Sequence, residues 1–139
     1  MHIVEQKNIS HSSALALVNE AAAVAADMNI AIAACVLDTA GRIKAMLVMD
    51  GAPLIADELV QKKARTALLG LSSQEFAAAV QELPDVRDSM LQLSGMTLLG
   101  GGLPLINGGV LVGALAIGGG AVDQDVECAR RVVDICFNC

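Results

Sequence analysis

The spacing of apolar residues divides the chain into helices and short strands. Apolar positions recur with helical periodicity over residues 10–29, 53–69, 74–81, 84–92 and 123–137. Shorter apolar segments with the length and composition of strands cover residues 30–37, 42–49, 103–106 and 110–117. With a further short strand near residues 96–99, this order predicts an α+β fold, in which an antiparallel sheet of about five strands carries helices on its faces.

The most distinctive segment lies between Asp88 and Asp123. Its 34 residues carry no charge and include ten of the 13 glycines of the chain. About 20 apolar residues are enough to span a membrane, but three glycine clusters divide this segment into pieces of strand length. We therefore expect the middle of a sheet here, with a hairpin at Asn107-Gly108, a dipeptide that favours a type I′ turn.

The composition is unusually apolar for a chain of this kind. Of its 139 residues, 55% are hydrophobic and 17% are charged, against about 25% charged in an average globular protein. The length suits one domain, residues 1–139, and the shortage of polar side chains predicts a homo-oligomer that covers apolar surface. The net charge of −6 and the absence of Trp argue against nucleic acid, which needs basic patches and aromatic stacking. The acidic balance also disfavours anionic membrane surfaces.

The N-terminal residues and the cysteines predict a reducing compartment. The first residues show neither a basic region nor a long apolar run, so we expect a cytoplasmic protein without a secretory signal. The four cysteines are then expected to stay reduced. Cys136 and Cys139 form a C-x-x-C pair at the C-terminus, which is either a redox or metal-binding pair or part of a frayed tail. A zinc site would need a second pair, so we expect no metal.

No catalytic motif of fixed spacing is present, because the sequence has no nucleophile elbow, no zinc-protease helix motif and no Walker loop. The glycine turns at residues 100–102 and 118–120 either hold an anion through backbone N–H groups or are simply tight turns. Asp123 and Asp125 follow the second turn and would repel a phosphate.

Three charged residues are further candidates for ligand contacts. Asp38 and Asp50 flank the first predicted hairpin, where they are either paired acids or ordinary turn residues. Lys63 lies on the stripe of its helix that is predicted to face inward. Such a lysine either extends its ammonium group to solvent or holds a ligand carboxylate.

Six motifs then occur in a characteristic order. They are Val36-Leu-Asp-Thr-Ala-Gly41, Met49-Asp-Gly-Ala-Pro-Leu54, Lys63-Ala-x-Thr66-Ala, Gly100-Gly-Gly-Leu-Pro-Leu105, Gly109-x-x-x-Gly113-Ala, and Gly118-Gly followed by Asp125-x-x-Cys-Ala129. From about residue 9 to residue 134 the chain resembles the GlcG/HbpS-like family, the haem-degrading or haem-binding domain family that includes the C-terminal domain of PduO-type proteins.

This resemblance implies a profilin-like, three-layer fold with a five-stranded antiparallel sheet, assembled into tetramers or octamers. It also implies a stand-alone member encoded near glycerol or propanediol fermentation genes. Some members bind haem and some degrade it. The chain departs from the family pattern at Val48, where many members have Arg, at Ala56 and at Ala121. The missing Arg removes one partner for a haem propionate or a substrate carboxylate.

Haem iron is held by His, Cys, Met or Tyr, and the chain has no Tyr and only two histidines. His2 lies in the N-terminal tail, so His11 and Cys35 are the candidate ligands. The competing interpretations are an exposed residue of a first helical turn for His11 and a small buried apolar residue for Cys35.

Three functions remain open. The first, which we favour, is a haem- or tetrapyrrole-binding accessory protein whose turnover, if any, is undetermined. The second is an enzyme or carrier for small diols or hydroxy acids, and the third is a structural oligomer without a ligand. An exposed His11 beside an apolar groove would support the first, and a cavity holding Lys63 and a carboxylate would support the second. The candidate ligand contacts for a small molecule are Asp38, Asp50, Gly51, Lys63, Gly101 and Gly102.

Overall fold

The computed structural model describes residues 1–137 and shows an α+β fold, as predicted. The elements follow in the order α1 (His11–Asp27), β1 (Ala33–Leu37), β2 (Ile43–Val48), α2 (Ala56–Ala67), α3 (Ser73–Val80), α4 (Pro84–Leu91), β3 (Gly102–Asn107), β4 (Val110–Gly118) and α5 (Val122–Cys136). Among these helices of residues 1–137, none is both long enough and apolar enough to cross a membrane.

The strands form one antiparallel sheet in the order β2-β1-β4-β3. Within residues 1–137 the sheet therefore has four strands, and the predicted fifth strand at residues 96–99 is wrong. The Thr97 N–H donates to the hydroxyl of Thr66 on α2 at 3.1 Å, and that hydroxyl lies 3.2 Å from the Thr97 carbonyl. Because a helix side chain pairs with these backbone groups, the segment lies along α2 and does not add a strand.

The two faces of the sheet are covered by different helices, because successive side chains of a strand point to opposite faces. Ala34 and Val36 of β1 belong to the apolar cluster with α1 and α5. Ala33 and Cys35 belong to the cluster with α2. The central strands β1 and β4 are thus buried on both sides, which explains why their sequences read as continuous apolar runs.

The helix ends follow the signals in the sequence. Ser10 caps α1 by accepting a hydrogen bond from the Ser13 N–H at 3.1 Å. Asn29 has a φ of 57° just after α1, the left-handed conformation expected of a residue that ends a helix. Ser72 and Glu75 form a reciprocal capping box at the start of α3.

The predicted hairpin between residues 106 and 110 is confirmed, but its turn lies one residue further along. Asn107 pairs with Val110, so the two central residues are Gly108 and Gly109, with φ of 57° and 79°. A type I′ turn requires positive φ at both central positions. Two glycines satisfy this requirement better than the Asn107-Gly108 pair does.

Candidate functional site

Lys63 connects three elements across the interior of the protein. Its side chain leaves the inward face of α2 and is only 2% exposed. The ammonium group donates to the Ile117 carbonyl of β4 at 3.0 Å and to Oδ2 of Asp125 on α5 at 2.9 Å. The inward orientation predicted from the sequence is confirmed, and the side chain does not extend to solvent.

Asp125 is the carboxylate partner of this buried ion pair. It is 2% exposed, and its Oδ1 accepts a hydrogen bond from the Gly120 N–H at 2.9 Å. Burial raises the pKa of the Asp125 carboxyl, and the hydrogen bond and positive charge of Lys63 oppose this effect without reversing it. Lys63 is thus the main group that stabilises the ionised form of this buried carboxyl.

From the sequence, Asp125 was interpreted as a charge that would repel an anion, and its pairing with Lys63 was missed. A signal was nevertheless present. The buried residues of α5 are Asp125, Cys128, Ala129 and Val132, so the aspartate occupies the first position of the stripe that faces the core. Two opposite charges on the inward stripes of two different helices indicate a buried pair, since a lone charge there is rarely tolerated.

The glycines of the 100–102 turn make room for the lysine. Gly101 has a φ of +123°, and a methyl group added to it would lie 3.1 Å from the Lys63 ammonium nitrogen. A methyl group on Gly102 would overlap the backbone carbonyl of Lys63. The Gly102 N–H donates to the buried hydroxyl of Ser73 at 2.9 Å. The structure thus brings three predicted site residues, Lys63, Gly101 and Gly102, together.

A cavity of about 210 Å³ opens from this ion pair to the surface. Lys63, Asp125 and the backbones of Gly119 and Gly120 line its polar part. The rest of its wall is apolar, formed by Pro53, Ile55, Ala56, Leu59, Leu99 and Val122. A cavity that holds both Lys63 and a carboxylate is the feature expected of a small-molecule site, and this cavity has it.

The other predicted acidic residues lie away from this cavity. Ala33 of β1 pairs with Gly118, whereas Leu37 pairs with Ala114. Asp38 follows Leu37, so it is about five residues, roughly 16 Å, from the end of β1 nearest Lys63. Asp50 and Gly51 follow β2 at the nearer end of the sheet, where they are exposed. None of these three is among the residues that line the cavity.

Asp38 organises the turn between β1 and β2. It is 1% exposed, and its carboxylate accepts hydrogen bonds from the N–H groups of Ala40 and Arg42 and from the Arg42 guanidinium at 2.9–3.0 Å. Burial tends to raise the pKa of the Asp38 carboxyl, but the hydrogen bonds and charge of Arg42 and the Ala40 N–H outweigh burial and lower it. A turn function accounts for every contact of this side chain.

Asp38→Asn is expected to reduce stability at neutral pH but not in acid. The folded pKa of Asp38 lies below its unfolded value, so ionisation adds stability above the ordinary carboxyl range, which is near pH 4. That contribution is lost as the pH falls through the folded pKa. We expect urea unfolding, followed by circular dichroism, to show a loss of about 1 kcal/mol at neutral pH. The difference between wild type and variant should narrow below about pH 4, and an unchanged difference there would contradict this account.

The candidate haem ligands lie in contrasting environments. His11 is the first residue of α1 and is exposed, and its imidazole forms no hydrogen bond or ion pair with any of residues 1–137. Leu15, one helical turn further along the same flank of α1, is 51% exposed. Cys35 is fully buried between the sheet and α2, and burial raises the pKa of its thiol to about 12.

A groove of about 420 Å³ borders the start of α1. It is lined by Lys7, Asn8, Ile9, Ser10, Ser13, Asn107, Val112 and Phe137. The segment that precedes α1 is held against β4, because the Ile9 N–H donates to the Val112 carbonyl at 2.9 Å. His11 lies between two lining residues in sequence, yet helical geometry turns it about 100° away from Ser10. His11 is accordingly not among the residues that line the groove.

Only one cysteine of the C-terminal pair lies among the described residues. Cys136 is the last residue of α5, and Cys139 lies outside the described residues, so a role for this pair stays a prediction. Across residues 1–137, no group of three or more His, Cys, Asp or Glu side chains is arranged to hold a metal ion.

The fold and the ordered motifs place the chain among known proteins. It belongs to the family described as haem degrading protein HbpS-like, whose family model matches residues 9–134. The family resemblance predicted from the motifs is thus confirmed over nearly the whole chain.

Three similar proteins match this chain over most of their own length. An uncharacterised 15.0 kDa protein from the dhaT-dhaS intergenic region of Citrobacter freundii is 34% identical over 120 residues, which cover 84% of this chain and 82% of the relative. The crystal structure of Klebsiella pneumoniae protein ORFY has a TM-score of 0.89 at 28% identity, covering 99% of this chain and 97% of that one. The crystal structure of a PduOC–haem complex has a TM-score of 0.83 at 28% identity, covering 91% and 94%.

Proposed function

We propose that this protein binds haem, or a closely related tetrapyrrole, as an accessory protein, with His11 as the axial ligand. Membership of the haem-degrading HbpS-like family supports the cofactor class. The similarity to a solved PduOC–haem complex, at 28% identity, supports it as well. The observation that carries the choice of ligand is the exposure of an unpaired imidazole at the first residue of α1.

The environment of His11 fits a haem ligand. A neutral imidazole binds iron through one ring nitrogen, and the His11 ring would not have to break an existing hydrogen bond to do so. Leu15 offers apolar contact to a porphyrin on the same flank of the helix. Lys7, which lines the groove at the start of α1, provides a cation for a propionate, in a chain where Val48 replaces the arginine of many family members.

Cys35 fits the cofactor less well. The thiolate is the form that binds metal, and burial opposes its formation by raising the thiol pKa to about 12. An iron atom could reach this sulfur only if α2 moved away from the sheet. We therefore assign Cys35 to the core.

A hemin titration followed at the Soret band tests this assignment. Wild-type protein is expected to show a saturable, stoichiometric shift, and His11→Ala is expected to weaken hemin affinity by at least tenfold, since one iron–imidazole bond is lost. His2→Ala is the matched control, because it removes the other histidine of the chain, and Cys35→Ala controls for the buried thiol. Both controls should titrate like wild type. Equal affinity of His11→Ala and wild type would reject the proposed ligand, and an unsaturable shift in wild type would reject haem binding.

The family assignment also supports a profilin-like, three-layer description of the fold and a cytoplasmic homo-oligomer. The buried thiols of Cys35 and Cys128 are not in disulfides, as is usual in a reducing compartment.

Large apolar side chains are exposed on several elements. Examples with at least half of their surface exposed are Leu15, Ile43, Val48, Leu54, Ile55 and Leu69.

An oligomer of this chain is expected in dilute solution, because exposed apolar area on this scale favours association. Light scattering coupled to size exclusion should give a mass of four or eight times the 14.3 kDa chain. A monomer at micromolar concentration would contradict this expectation.

A further inference from the structure

We infer that the cavity at the Lys63–Asp125 ion pair binds a small, uncharged molecule that carries a hydroxyl group on a short apolar body. This site is separate from the proposed haem site, since the residues that line it include neither His11 nor any residue of α1. The inference therefore does not depend on haem binding.

The size of the cavity limits the ligand. A cavity of roughly 150 Å³ can hold benzene, and sites for drug-sized molecules begin at about 300 Å³. At about 210 Å³, this cavity lies between the two. It suits a molecule slightly larger than benzene, with about seven or eight non-hydrogen atoms.

The polar part of the cavity offers both a donor and an acceptor. An ammonium group has three N–H donors, and that of Lys63 uses two of them within residues 1–137. The Asp125 carboxylate accepts hydrogen bonds from Lys63 and Gly120, and the Gly119 N–H is a further backbone donor to it. Since a carboxylate has about four lone-pair sites, one remains for a ligand. A hydroxyl group can accept from Lys63 and donate to Asp125 at the same time, which no purely accepting or purely donating group can do.

Charge excludes the ionic alternatives. Lys63 and Asp125 neutralise one another at 2.9 Å, so a carboxylate ligand would gain the lysine but meet the aspartate. An ammonium ligand would meet the same difficulty with opposite signs. Either ion would also lose its hydration against apolar walls, and no free counter-charge is present to compensate for that loss.

The ion pair itself favours a role in binding. Burying two charged groups costs desolvation free energy. Apolar residues of similar volume in place of the ion pair often stabilise a core as well or better. Packing covers most of this pair, since each side chain is only 2% exposed, but one side of it stays open. Here it borders a cavity whose rim residues Ile55 and Val122 are 57% and 45% exposed, so a ligand can enter from solvent.

A tryptophan placed at the rim makes the test direct, because the chain contains neither Trp nor Tyr. Ile55→Trp places the reporter at the residue that precedes α2 and lines the cavity. Leu83→Trp is the matched control, since Leu83 likewise precedes a helix, α4, and is 50% exposed but lies outside the cavity lining. The probes are cyclohexanol, cyclopentanecarboxylate and cyclohexylammonium, each of which has a saturated ring and fits the size limit of about seven or eight non-hydrogen atoms, and which differ in charge.

We expect cyclohexanol to change the emission of Ile55→Trp saturably and to leave Leu83→Trp unchanged. The two charged probes should bind at least tenfold more weakly. Adding Lys63→Met and Asp125→Asn to the Ile55→Trp background removes both charges and keeps an acceptor for Gly120. The ligand hydroxyl then has one neutral amide as its partner in place of two charged groups, so the affinity for cyclohexanol should fall by at least tenfold.

Three results would overturn the inference: no saturable response to any probe, equal or tighter binding of a charged probe, or cyclohexanol affinity unchanged by the double substitution. Hemin titration of the Lys63→Met/Asp125→Asn protein should match wild type, so failure at one site can be told apart from failure at the other.

Discussion

Lys63→Met is expected to lower the free energy of unfolding by about 3–5 kcal/mol, the usual effect of removing one partner of a buried ion pair. Methionine preserves most of the volume of the lysine side chain, so the loss is electrostatic and does not come from a new void. Asp125 would keep its hydrogen bond from Gly120 but lose its only nearby cation among the described residues. Urea unfolding followed by circular dichroism measures the change in a chain without useful aromatic fluorescence.

Two controls separate this explanation from a general packing defect. Without Lys63, only the backbone hydrogen bonds of Gly119 and Gly120 oppose the rise that burial causes in the pKa of Asp125, so the variant gains stability as the pH falls below the raised pKa and loses it as the pH rises through that pKa. The deficit relative to wild type should therefore shrink on acidification. The double variant Lys63→Met/Asp125→Asn should recover most of the lost stability, since no unpaired charge remains buried. A deficit that is independent of pH and persists in the double variant would contradict the account.

Gly102→Ala is expected to lower the free energy of unfolding by about 3 kcal/mol, at the upper end of the range for overpacking a core. The added methyl group would overlap the main-chain carbonyl of Lys63, and a backbone group cannot move aside as a flexible side chain can. To relieve the overlap, α2 would have to shift away from β3. The same shift would disturb the Lys63–Asp125 pair.

Gly109→Ala is the matched control for this substitution. Gly109 has a φ of +79° and nothing within 4 Å of an added methyl group, so its replacement tests backbone strain alone. That change should cost about 1 kcal/mol, clearly less than Gly102→Ala in the same denaturant experiment. Equal losses at the two positions would show that steric overlap with Lys63 is not the cause.

The sequence predicted the fold because its local signals agree with the tertiary arrangement. The uninterrupted apolar run of β1 predicted a strand that is buried on both faces of the sheet, and helices do pack on both faces. The prediction failed at residues 96–99, where an apolar segment resembles a strand but its backbone pairs with the side chain of Thr66. Periodicity cannot reveal such a contact, since the two residues are 31 positions apart.

The candidate site was only partly predictable. Lys63 could be identified because a charge on an inward helical stripe is unusual, and the glycine turns indicated close approach of backbone. Asp38 and Asp50 looked equally suitable from sequence, because turn residues and ligand-binding acids are the same residue types. Only the structure distinguishes Asp125, which lies 62 positions from its partner, from those two.

A crystal structure of the protein grown with hemin would test the proposed function most directly. The account predicts electron density for a porphyrin on the flank of α1, with iron bonded to the imidazole of His11 and apolar contact to Leu15. Iron bonded to any other side chain, or a porphyrin seated away from α1, would contradict it.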